Sequence, residues 1–107
     1  MNALELLPDE IRASLPLYGG QEDVSDPIVH VKYFTPDANW TWYATEGFQE
    51  GEDFIFFGYV VGHESEWGTF SLAELKTLRG PWGLAVERDL HFTPKPISEI
   101  QRGIASP

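Results

Sequence analysis

The chain has no cysteine, which removes disulfides, thiolate nucleophiles, cysteine-ligated zinc and iron–sulfur clusters together. It also has no lysine or arginine between Lys32 and Lys76. Within that interval it carries eight acids (Asp37, Glu46, Glu50, Glu52, Asp53, Glu64, Glu66 and Glu74) and twelve of its fifteen aromatic residues. Acids and aromatics therefore share one stretch, with no cation nearby in sequence to neutralise it. No apolar run approaches the roughly 20 residues that span a bilayer. The segment Met1–Leu7, acidic at Glu5 and followed by Pro8, does not read as a signal peptide. The expectation is a soluble, cytoplasmic protein with no membrane partner.

What is present is enough for a core. A chain of 107 residues that is 42% hydrophobic and 14% aromatic is too apolar for an acidic disordered segment, and residues 1–107 read as a single domain. Its 17 acids against 7 bases leave a formal net charge of −10. Nucleic-acid affinity rests on cations that displace condensed counterions, so this charge opposes binding to DNA or RNA. It favours a protein partner with a basic surface, and it also keeps a small protein in solution.

Pro8, Asp9 and Glu10 open a short helix over Pro8 to Leu15, which Pro16 ends, with Leu7, Ile11 and Leu15 as its buried stripe. A polar connection, Tyr18 to Pro27, follows. Strands are predicted over Ile28–Thr35, Trp40–Thr45, Phe54–Gly62 and Trp67–Phe70, with an acidic loop from Glu46 to Asp53. Ser71 with Glu74 three residues later is a capping box opening a second helix, whose stripe is Leu72, Leu75 and Leu78. Leu84–Phe92 reads as a fifth strand. Thr93–Pro96 should be extended and unpaired because of its two prolines, and Ile97–Arg102 forms a last helical turn. The fold class is α+β: a twisted antiparallel meander of four to five strands with two or three short helices packed against it.

The candidate chemistry is sparse. Trp40 and Trp42 share one strand face, and the central strand is apolar on both faces, with Phe57 placed in the core. Such aromatics suit core packing, a groove for a protein partner or a pocket for a flat uncharged ligand. A base-stacking platform would lack cations. Glu46, Glu50, Glu52 and Asp53 crowd one loop without the alternation of a calcium hand. His63 with Glu64 and Glu66 could supply metal ligands but reads as an exposed polar turn. A site of His30, His63 and His91 would need tertiary convergence that spacing does not show, so no metal and no cofactor is expected. Arg88 requires a partner, with Glu46 or Glu66 as candidates, beside Asp89. No nucleophile motif, phosphate loop or dinucleotide fingerprint is present, so no catalytic residue is assigned. The candidate binding residues are Trp40, Trp42, Glu46, Glu50, Glu52, Asp53, Glu66, Arg88 and Asp89.

Several runs carry a family resemblance: His30-Val-Lys-Tyr-Phe-Thr-Pro36, Asn39-Trp-Thr-Trp-Tyr43, Phe57-Gly-Tyr-Val-Val-Gly62, Gly68-Thr-Phe-Ser-Leu-Ala-Glu-Leu75 and Val86-Glu-Arg-Asp-Leu-His-Phe92. Over about Leu4 to Ile100 the chain resembles a bacterial family of small acidic proteins, domain of unknown function 2958. The resemblance carries over no activity and no catalytic residue. Members occur on plasmids and integrative elements, among antirestriction and DNA-handling genes. It therefore implies a non-enzymatic accessory protein of mobile DNA that binds another protein, as a DNA mimic or inhibitor of a host defence system. The alternative is a small-molecule-binding domain, or a small enzyme with a carboxylate/arginine site between sheet and helix.

Overall fold

The computed structural model describes residues 5–17, 19–21 and 23–105, with only the backbone at 104 and 105. Residues 1–4 and, within the Tyr18–Pro27 connection, Tyr18 and Glu22 lie outside the described residues. The elements are α1 (Asp9–Ser14), β1 (Ile28–Val29), β2 (Val31–Phe34), β3 (Thr41–Glu50), β4 (Asp53–Val61), β5 (Ser65–Ser71), α2 (Leu72–Thr77), β6 (Glu87–Arg88), β7 (Lys95–Pro96) and α3 (Ile97–Ala105). The architecture is α+β. A five-stranded antiparallel sheet runs in the order β5-β4-β3-β2-β6, a two-stranded sheet pairs β1 with β7, and the three short helices pack against them.

Pro8 is the N-cap of α1, and its carbonyl accepts from the N–H groups of Ile11 and Arg12. Leu7 and Leu15 bury beside half-buried Ile11, as the helical spacing requires. At α2 the capping box forms in full: Ser71 Oγ accepts from Glu74 N at 3.0 Å and Glu74 Oε1 accepts from Ser71 N at 2.9 Å. Leu72 and Leu75 are buried, whereas Leu78 becomes the C-cap and stays largely exposed.

Strand alternation separates two cores. On one face of the sheet, Tyr33, Trp42, Phe54, Phe56 and Phe70 pack with Leu6, Leu7, Leu15, Leu72, Leu75 and Val86. The Tyr33 hydroxyl donates to the Leu6 carbonyl at 2.7 Å, and burial pushes its phenol well above the ordinary range. On the other face, Tyr43, Tyr59 and Val61 pack against Val29, Ile97, Ile100 and Phe92. Strand β4 is thus apolar on both sides, and it is an interior strand, second from the β5 edge, while β3 holds the centre of the sheet. The fully buried aromatic is Phe56, at 0% exposure, while Phe57 is half-buried and stacks on Trp67.

Several sequence expectations are corrected. The first strand breaks at His30 into β1 and β2, which join different sheets. The second does not stop at Thr45: a bulge between Ala44 and Glu46 carries it on to Glu50. The expected loop from Glu46 to Asp53 shrinks to a turn at Gly51 and Glu52, with positive φ at Gly51. The predicted strand Leu84–Phe92 keeps only Glu87 and Arg88 as a ladder. Before it, the chain turns at residues 80–83, where Asp37 Oδ2 accepts from Trp82 N at 2.7 Å. After it, Asp89 Oδ1 accepts from His91 N at 2.9 Å and bends the chain away. Lys95 and Pro96 do pair, with Val29 and Ile28, because a two-stranded edge tolerates proline.

The two faces of β4 make separable predictions. Phe56→Ala should cost about 3–5 kcal/mol and Phe57→Ala about 1–2 kcal/mol in urea unfolding. Equal losses, or a larger loss at Phe57, would mean that Phe57 is buried at least as deeply as Phe56.

Candidate protein-docking surface

The residues expected to form one site fall in four places. Trp42, Val60 and Glu66 lie in one row across β3, β4 and β5. Trp40 stacks on Trp42 at 6.2 Å and meets His63 edge-on at 5.9 Å, yet keeps 38% of its surface exposed. Trp40 and Trp42 form one wall of a groove of about 390 Å³, whose other wall is Leu78, Arg79, Gly80 and Pro81 at the end of α2.

Glu46 is not on that surface. It is 4% exposed, and its carboxylate accepts from Gly19 N at 2.6 Å and Gln21 N at 2.9 Å. The Gln21 amide meanwhile donates to the carbonyls of Ile28 and Thr45 and accepts from Ile28 N. The bulge turns Glu46 inward, where it clasps the 19–21 loop; charge-assisted bonds of this kind are the strong ones.

Glu50 and Glu52 are exposed at the β3–β4 turn. Asp53, next to them, is engaged: its Oδ1 accepts from Phe54 N at 2.7 Å and Ala73 N at 3.0 Å. These backbone donors, from Ala73 first and then Phe54, hold its carboxyl below the usual value. Asp53 is therefore a tie between the turn and the start of α2.

Arg88 and Asp89 lie at the opposite edge of the sheet, roughly 19 Å from β5 across four strand spacings. Arg88 Nε donates to the Glu5 carbonyl at 2.9 Å rather than to Glu46 or Glu66, and Asp89 faces Lys32 at 3.6 Å. The carboxylate/arginine cluster expected between sheet and helix is not brought together. The three histidines also stay apart, on the β1–β2 break, the β4–β5 turn and the turn after β6. Among the described residues no three His, Asp or Glu side chains gather as a metal site would require. No helix among them is long and apolar enough to cross a membrane.

Sequence reasoning missed Trp67. It sits on β5 directly opposite Tyr59, with ring centroids 5.3 Å apart, and stacks on Phe57 at 5.7 Å. It remains 39% exposed beside the sheet's outer edge. Trp82, at the tip of the 80–83 turn, was also missed and is 85% exposed. The available signal was a tryptophan in a short strand at the end of a meander, where one flank has no partner strand.

A family model described as "Protein of unknown function (DUF2958)" matches residues 6–103. The chain belongs to the DUF2958 family. No curated protein and no solved structure matches it. The description of the DUF2958 family names no activity and no ligand. The chain's exposed acids lie at the two ends of β4, Glu50 and Glu52 at the β3–β4 turn and Glu64 and Glu66 by the β4–β5 turn. Its part-exposed rings lie on opposite sides of the sheet, Trp40 beside Trp42 on the α2 side and Trp67 beside Phe57 and Tyr59 on the other. Four of the seven cations, Lys32, Arg88, Lys95 and Arg102, belong to β2, β6, β7 and α3, away from β5.

The Asp53 tie has a definite pH signature. Its folded pKa is lowered below the ordinary value of 3.8, so its contribution is complete above about pH 4 and is lost as pH falls through the folded value. Asp53→Asn should therefore lower the urea midpoint at pH 7, and the gap to the wild type should narrow as pH falls below about 4. A gap that stays constant across that range would show that the carboxylate charge has no part in the tie.

Proposed function

We propose that this protein is a non-enzymatic accessory protein that binds a partner with a basic surface through the acidic, aromatic part of the sheet formed by β3, β4 and β5. The observation that carries this reading is the stretch from Tyr33 to Leu75, which holds eight acids and no lysine or arginine and includes those three strands. Its negative field attracts a basic partner at long range, and an exposed ring on either side of the sheet, Trp40 on one and Trp67 on the other, supplies the apolar contact that charge alone lacks.

The sharpest form is a DNA mimic or inhibitor of a host defence system, encoded with mobile DNA and acting in the cytoplasm. Proteins that grip DNA carry basic clefts, which an acidic protein fits without itself binding nucleic acid. A second reading is supported by the groove between Trp40 and Leu78. Its volume of about 390 Å³ and its apolar walls suit a small, flat ligand.

The test is affinity capture from the native host, with mass spectrometry for proteins and small molecules, followed by association kinetics with the recovered partner. The association rate should fall steeply with salt. Glu50→Lys with Glu52→Lys should slow association more than it speeds dissociation. Asp53 is left unchanged because it ties the turn to α2. An association rate independent of ionic strength would refute the basic-partner reading, and enrichment of a small molecule alone would favour the groove.

A further inference from the structure

Strand β5 ends the sheet, and among the described residues it pairs with β4 alone. The other backbone edges are short or closed. Beyond the bulge, β3 is covered by the preceding loop, with Gly47 N donating to the Pro16 carbonyl at 2.9 Å. The far edge, β6, is two residues long. Strand β5 is seven residues long, and its residues 65–67 and 69 are exposed. A free edge of this length is a template for strand addition.

Both flanks of that edge are shaped. On the α2 side, Gly58 and Gly68 lie opposite each other, and a Cβ at Gly68 would meet nothing within 4 Å. A notch of about 230 Å³ results, lined by Trp42, Val60, Leu75 and Leu78 with the acids Glu66 and Glu74. On the other flank Trp67 offers a ring face steadied by Phe57 and Tyr59.

Charge selects the occupant. A second copy of the chain would bring one −10 protein against another, with Glu64 and Glu66 of both copies on the shared edge. A cationic strand meets no such repulsion. A lysine or arginine stem suits the apolar floor of the notch, and its head suits the two carboxylates. We propose that β5 receives an extended, lysine- or arginine-bearing segment of a partner protein by strand addition, one cationic side chain entering the notch beside Glu66 and Glu74. This deepens the basic-partner reading and rests on it.

The probe is a labelled nine-residue peptide alternating lysine and threonine, followed by fluorescence anisotropy at low salt. It should bind, and its glutamate counterpart should not. Backbone N-methylation at every second residue should abolish binding in one of the two registers and be tolerated in the other, because only one set of amides faces β5. Gly68→Leu extends into the notch from a position where a Cβ meets nothing within 4 Å, so it should leave the melting temperature nearly unchanged and weaken the peptide by roughly tenfold. No binding, or binding indifferent to both N-methylation registers and to Gly68→Leu, would overturn strand addition. Failure here is distinguishable from failure of the basic-partner reading. In the first case the wild-type association rate with the whole partner still falls with salt, and in the second it does not.

Discussion

Where Ala44 lies opposite Gly58, the backbones of β3 and β4 come closer than any side chain at Gly58 would permit. A Cβ there would fall 1.9 Å from the Tyr43 carbonyl oxygen. The close approach sits immediately before the bulge at Thr45, and the rest of the sheet follows from the pair. Thr45 Oγ1 donates to the Phe57 carbonyl at 3.2 Å, and Glu46 turns inward to hold the 19–21 loop. Because β2 stops pairing at Ala44, the second half of β3 would otherwise be a free edge, and that same loop covers it. One bulge thus lengthens the hairpin, buries a carboxylate and closes an edge.

The charge pattern acts on what is left. A free edge strand usually invites aggregation, and natural proteins protect such edges with charge. The acids at Glu64 and Glu66 repel a second acidic chain while leaving the edge open to a basic one. Under the proposed strand addition, protection and recognition would be the same electrostatic feature seen by two partners of opposite charge. Trp67 adds a ring at the same place, where a purely protective edge would have no use for an exposed aromatic.

Local chemistry made much of this legible. The capping box at Ser71 and Glu74, the proline start of α1 and the two apolar faces of β4 depend on residues close in sequence, and all three were readable. The bulge was not, because it comes from an approach of Tyr43 to Gly58 fifteen residues on. Glu46, Asp53 and Arg88 were misread for one reason. Each is a charged side chain whose partners are backbone groups, of Gly19 and Gln21, of Ala73, and of Glu5. A sequence shows carboxylates and guanidinium groups, but not the loops that will present N–H or C=O groups to them. The scatter of the candidate site residues over four places has the same origin, since strand order decides which edge each one reaches.

Residue-resolved amide hydrogen exchange tests the open edge most directly. Paired amides of β3 and β4 should be the slowest in the molecule. In β5, protection should alternate along the strand, with amides that donate to β4 slow and their neighbours close to the rate of an unstructured chain. Uniform protection along β5, equal to that of β4, would mean that the edge is already covered and would contradict a free β5 in the isolated protein.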